Sequence, residues 1–147
     1  MNLTIKSVLA THAGLDAVVL RVGAGVIFTA HGAQKLFGWF GGYGLEGTAG
    51  WMESIGLAPG VVMALLAGSA EFFGGLLLIA GLLVRPTGVV LAVTMLVAIL
   101  TVHIENGLFM ANNGYEFGLS LLVISLALVG RGAGSYSIDQ MLHSKRV

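Results

Sequence analysis

The sequence predicts an all-α integral membrane protein, a four-helix bundle with a short interfacial helix in the first outer loop. Three observations carry that expectation. The 147 residues are 56% hydrophobic and only 10% charged, with a mean hydropathy of +0.94, whereas soluble domains carry about 25% charged residues. Four apolar stretches approach the ~20 residues that an α-helix needs to cross the hydrocarbon core. Most connections between them are short and marked by Pro, Gly or Asn, residues that turn the chain. A chain of this length leaves room for one domain, so residues 1–147 are read as a single membrane domain.

The first span, residues 17–37, follows Asp16 as its N-cap and carries Arg21, His31, Gln34 and Lys35 in a glycine-rich apolar run. It is too long and too charged for a cleaved signal peptide and lacks a small-x-small site after it. The loop at 38–59 holds Trp39, Phe40, Tyr43 and Trp51, aromatic residues that settle at membrane–water interfaces. Thr48 is read as the cap of a short surface helix running through Trp51 and Ile55. The second span, residues 60–84, opens after Pro59 and holds one formal charge, Glu71, close to its midpoint.

Arg85-Pro86 is read as a tight turn into the third span, residues 86–109, which is uncharged until His103 and Glu105. Pro86 suits a first helical turn, where its missing N–H has no partner to lose. Asn112-Asn113-Gly114 signals the next turn, and the fourth span, residues 115–130, lies between Glu116 and Arg131. It is short, and it crosses only if nearly upright. Ser137-Ile138-Asp139-Gln140 matches a capping box and predicts a brief terminal helix ending in His143, Lys145 and Arg146.

Lys and Arg total 7 and Asp and Glu total 7, with no run of like charge, which excludes a nucleic-acid-binding patch. The cysteine count is zero, which removes disulfide exchange, cysteine-ligated iron–sulfur clusters and thiolate nucleophiles. Lys6, Arg21, Arg85, Arg131, Lys145 and Arg146 fall on one side of a four-span chain and only Lys35 on the other. By the positive-inside rule both termini are then cytoplasmic. Gly42-Tyr43-Gly44-Leu45-Glu46-Gly47 fits G-x-G-x-x-G, but it follows a membrane helix rather than a strand, so no nucleotide site is inferred. His103-Ile104-Glu105 matches half of a zinc deaminase signature whose other half needs cysteines.

A charge at the bilayer centre costs about 2.5–3.5 kcal/mol on insertion scales, so such residues face the bundle interior. Glu71 lies roughly 15 Å from the outer end of its helix, a depth at which a protonatable carboxyl suits proton exchange. His31 and His103 both reach a depth of roughly 8–9 Å and can face one another. At 100° per residue, Arg21, Gly25, Phe28, Gly32 and Lys35 share a face of span one, with His31 beside it. Ala64, Gly68, Glu71 and Gly75 form a smooth strip on span two that a second backbone can approach. The expected result is an outward-facing polar pocket lined by His31, Lys35, His103 and Glu116, with Glu71 as its floor. Structural readings stand beside these: rim ion pairing for Lys35, Glu105 and Glu116, a helix-to-helix hydrogen bond for the histidines, and packing for the glycines.

The chain resembles the DoxX family of small bacterial membrane proteins. The resemblance runs through Leu20-Arg21-Val22-Gly23-Ala24-Gly25-Val26-Ile27-Phe28 and His31-Gly32-Ala33-Gln34-Lys35-Leu36-Phe37, then through Glu71-Phe72-Phe73-Gly74-Gly75-Leu76-Leu77-Leu78-Ile79-Ala80-Gly81-Leu82 and Arg85. It continues with His103, Gly107, Phe109, Gly114 and Glu116. It implies a four-helix protein of the bacterial cytoplasmic (inner) membrane, in a family named for subunits of an archaeal quinol oxidase and thiosulfate:quinone oxidoreductase. Some of its members are linked to oxidative-stress complexes with soluble partners.

Two functions follow as expectations. In the first the protein is a quinone-associated redox accessory subunit: Glu71, His31 and His103 are catalytic and exchange protons, while Lys35, Arg21, Phe28 and Glu116 contact the cofactor. Quinone is the expected cofactor, haem held through His31 and His103 is the weaker alternative, and no metal site is expected. A redox partner subunit then supplies the electrons. In the second the protein is a non-enzymatic binding, carrier or assembly protein for a small apolar or weakly acidic molecule. The small-residue pairs Ala64-Gly68, Ala70-Gly74 and Gly114-Gly118 leave a homo-oligomer open under either reading.

Overall fold

The computed structural model describes Ser7, Thr11 and residues 14–144. Three of the cations that set the expected orientation, Lys6, Lys145 and Arg146, lie outside the described residues. The described chain is helical, in the order α1 (Leu15–Phe37), α2 (Gly44–Ser54), α3 (Gly60–Ala80), α4 (Val84–Ala98), α5 (Glu116–Arg131) and α6 (Ile138–Ser144). Beyond Ala98 the α4 run continues through a π turn at Ile99–His103 and a 3-10 turn at Ile104–Asn106. Among the described residues three helical runs are long and apolar enough to cross a membrane: Leu15–Phe37, Gly60–Ala80 and Val84–Asn106. The 16 residues of α5 span only about 24 Å at ~1.5 Å per residue.

Small residues line the helix contacts, and large apolar ones both fill the core and cover the outside. The helices α1 and α3 run antiparallel in the most extensive contact of the structure, and α4 packs along α5. Where α1 and α3 meet, a Cβ on Gly25 would stand 2.8 Å from the Gly75 carbonyl oxygen, and one on Gly32 would strike the Phe72 backbone. Gly68 admits Leu36 in the same way, so Gly68, Glu71 and Gly75 of the expected strip form the surface on which α1 lies, while Ala64 packs against α2. Phe28, Leu78, Leu91, Leu121 and Leu128 fill the core. Val19, Val26, Leu66, Phe73, Val93, Leu100, Val123 and Leu126 point outward. Small residues that bring helices close, beneath an apolar exterior, are what lipid as solvent requires.

Several boundaries differ from expectation for local reasons. The turn between α3 and α4 forms at 81–83 rather than at Arg85-Pro86: Gly81 takes φ 68° and Leu82 N–H reaches the Leu77 carbonyl at 3.0 Å. This is the glycine-terminated helix end that satisfies orphan carbonyls. Arg85 and Pro86 then fall in the first turn of α4, where the missing proline N–H costs nothing. Asp16 lies inside the first turn of α1 rather than capping it, and pairs with Arg131 Nε at 2.8 Å. Thr48 sits in the middle of α2, and its hydroxyl donates to the Lys35 carbonyl at 3.4 Å. The expected cap on α6 does form, Ser137 Oγ accepting the Gln140 N–H at 3.2 Å.

Candidate functional site

Glu71 lies near the middle of α3 and is 4% exposed. Lys35, two residues from the end of α1, reaches back along the helix crossing and places Nζ 2.5 Å from Glu71 Oε2. Among the described residues this is the only hydrogen bond to that carboxylate. The pair exists because Gly32 and Gly68 let α1 and α3 approach closely. The lysine side chain is 25% exposed and the glutamate side chain 5%, so the ammonium stands between outside and inside.

The outside is a cleft of about 450 Å³ formed by the last turn of α1, the 39–43 turn and α2, with Gln34, Lys35, Gly42, Tyr43, Thr48 and Trp51 in its walls. Two elements hold α2 in place. Ala49 and Met52 pack on Ala64 of α3, and Glu53 Oε1 accepts the Gly60 N–H at 3.1 Å, capping α3. Gly42 presses against Gln34 so closely that a side chain there would collide with the α1 backbone. An aromatic wall, a hydroxyl, a primary amide and one ammonium thus line the cleft.

The other expected site residues are placed elsewhere. Arg21 is 2% exposed and lies about 21 Å along α1 from Lys35, at ~1.5 Å per residue. Its guanidinium donates to five backbone carbonyls: Nε to Ala133, Nη1 to Leu78 and Ile79, and Nη2 to Ser135 and Tyr136. Beside it the Asp139 carboxylate accepts the Leu83 and Val84 N–H groups at 2.8 and 3.0 Å, capping α4 from a distant part of the chain. Arg21 and Asp139 thus bind the segment after α5 to α1, α3 and α4. Phe28 is 1% exposed in the apolar core and lines no part of the cleft.

The histidines are not held as a pair. His31 lies on α1 with its ring 5.8 Å from that of Phe117. His103 ends the π turn of the α4 run, with Nδ1 2.8 Å from the Asn113 carbonyl. A carbonyl only accepts, so Nδ1 is the donor in this contact. Glu116 Oε1 accepts the Met110 N–H at 2.6 Å, closing the loop before α5. Of the five groups expected around one pocket, the structure brings Lys35 and Glu71 together; His31, His103 and Glu116 make other contacts.

The DoxX family model matches residues 17–104. The chain belongs to the DoxX family. The match takes in α1, α2, α3, all of α4 and His103, so it contains the Lys35–Glu71 pair and the cleft, while Glu116 and Asp139 lie beyond it. A Bacillus subtilis protein named "Putative oxidoreductase CatD" is 38% identical over 116 residues, covering 79% of this chain and 80% of its own. The Escherichia coli protein named "Inner membrane protein YqjF" is 33% identical over 137 residues, 89% of this chain and 95% of its own. An uncharacterized Haemophilus influenzae protein is 32% identical over 129 residues, 86% and 90% of the two chains. No solved structure matches significantly. With three apolar helices of spanning length, this DoxX-family chain is a membrane protein.

Proposed function

We propose that this DoxX-family protein is a quinone-associated redox accessory subunit of the bacterial inner membrane, with its ligand site in the cleft above Lys35 and Glu71. The buried Lys35–Glu71 pair carries this reading, because a protonatable carboxyl at mid-depth joined through one ammonium to an aromatic cleft suits proton-coupled chemistry. The relative named as an oxidoreductase supports it. In this reading residues 1–147 form one membrane domain, α5 crosses upright as a fourth span, and both termini face the cytoplasm. The cleft then opens on the outer side, and α2 is the interfacial helix.

Converting a quinone to a quinol takes two electrons and two protons. The electrons enter from a redox partner subunit; the chain, which has no cysteine, supplies binding and proton handling. A bound quinone would supply the redox chemistry, with Lys35 as the residue that would hold a ring oxygen and Tyr43 and Trp51 as the walls that would hold its ring. Glu71 exchanges a proton through Lys35, while His31 and His103 exchange protons at the outer end. The five N–H groups of Arg21 are engaged by carbonyls, so its role is to hold the helices rather than the ligand. Separate partners for His31 and His103 do not fit axial ligation of one haem.

A second reading, a non-enzymatic binding or carrier protein for a weakly acidic molecule, is favoured by one observation: Lys35 serves both the cleft and Glu71. Mass spectrometry and an ultraviolet–visible spectrum of protein purified gently from its native membrane separate the two. The redox reading expects co-purified quinone in the unaltered protein, reduced at least about tenfold both in Lys35→Met and in Lys35→Met/Glu71→Gln, the size of one lost charge-assisted contact. Protein free of quinone, or quinone unaffected by both changes, would exclude it.

A further inference from the structure

We infer that the cleft binds small organic acids as their anions and that each anion bound places one proton on Glu71. This rests on reading the cleft as the ligand site. The inference comes from a shared cation. Lys35 lines the cleft and is also the one hydrogen-bond partner of Glu71 among the described residues.

An anion entering the cleft meets an ammonium already engaged. If it takes that ammonium, Glu71 stands buried without a counter-charge, a condition costly enough that the carboxyl takes a proton instead. The charge balance closes. Before binding the site holds Lys35 positive and Glu71 negative; afterwards it holds Lys35 positive, the bound anion negative and Glu71 neutral. Net charge stays at zero, which a low-dielectric site favours. An acid HA has entered with its proton and its anion on separate groups, and no electron has moved.

The surrounding elements leave Glu71 as the acceptor. It is the only titratable residue of α3. On α1, His31 is within electrostatic reach of Lys35 but exposed. On α2, Glu46 and Glu53 are exposed and Glu53 is engaged with the Gly60 N–H, while Tyr43, just before α2, lines the cleft. The only charged residue of α4 is Arg85, whose Nη1 donates to the Val129 carbonyl.

The test uses benzoate as probe and the full chain in lipid nanodiscs, with calorimetric titration at one pH in two buffers of different ionisation enthalpy. Uptake of about one proton per benzoate is expected, with neutral benzamide binding at least about tenfold more weakly. Glu71→Gln should keep benzoate binding and abolish the uptake. Glu46→Gln on α2, an exposed carboxylate that lines no part of the cleft, should keep both, and Lys35→Met/Glu71→Gln, which leaves no buried unpaired charge, should lose binding. Absence of saturable benzoate binding, binding without proton uptake, or uptake that survives Glu71→Gln would each overturn the inference. Quinone co-purifying with a protein that fails this test would leave the redox reading standing alone, and proton-linked benzoate binding by a quinone-free protein would do the reverse.

Discussion

Arg21→Met is expected to be the most destabilising single substitution in the spans. It removes five hydrogen bonds from a buried guanidinium to the carbonyls of Leu78, Ile79, Ala133, Ser135 and Tyr136. At a net value of about 1 kcal/mol each, the loss is roughly 5 kcal/mol, a large part of a typical folding free energy of about 5–15 kcal/mol. For a chain of this size that corresponds to a fall in Tm of about 15 °C. Arg21→Lys should recover less than half of it, because a single ammonium has three donors and cannot span a fork of five carbonyls. Circular dichroism melts of the three proteins in one detergent measure the effect. An Arg21→Met protein melting within about 2 °C of the unaltered one would mean that the carbonyl cluster does not hold the C-terminal segment.

Lys35→Met should cost about 3 kcal/mol at pH 8, the low end for breaking a buried pair, since the lysine is partly exposed. The cost should shrink at pH 5, because a protonated Glu71 needs no counter-charge. Stability of the variant is thus retained at low pH and lost as pH rises. Adding Glu71→Gln should restore most of the stability at pH 8, since the double variant buries no charge. Thermal melts at both pH values check this. A penalty independent of pH, or a double variant no more stable than Lys35→Met alone, would contradict the pairing.

How much of this was legible in the sequence differs by type of feature. The spanning helices could be read because hydropathy over some twenty residues overrides local detail, and the close-packing strip on α3 because small residues at helical spacing mark it, though not that α1 is the helix that lies on it. Glu71 stood out as a lone charge in an apolar run. Its partner was less legible: the pairing needs the antiparallel register of α1 and α3, which lets Lys35 reach back to a carboxyl deeper than its own Cα. The cleft was hidden for the same reason. Thr48, read as a cap, became part of a cleft wall once α2 began four residues earlier at Gly44, and Trp51, read as an interfacial anchor, became another.

Asp139 was read as part of a local capping box on α6. Its carboxylate instead caps α4, a contact between distant parts of the chain that no local pattern encodes. The same holds for Arg21, whose carbonyl partners come from two separate segments. Phe28 shares the Lys35 face of α1 by angle, but it lies two turns deeper, where that face meets the core. His31 and His103 were expected at similar depths by residue count, yet equal depth does not bring two rings into contact.

The claim that the cleft over Lys35 and Glu71 is a ligand site has a built-in reporter. The chain has two tryptophans; Trp51 lines the cleft and Trp39 does not. In a Trp39→Phe background the remaining indole fluorescence comes from Trp51. Titrating decylubiquinone into that protein in nanodiscs should give saturable quenching, which disappears when Lys35→Met and Glu71→Gln are added together. Quenching that rises linearly with quinone, or is the same with and without those two changes, would show that the quinone reaches Trp51 from the lipid and that the cleft does not bind it.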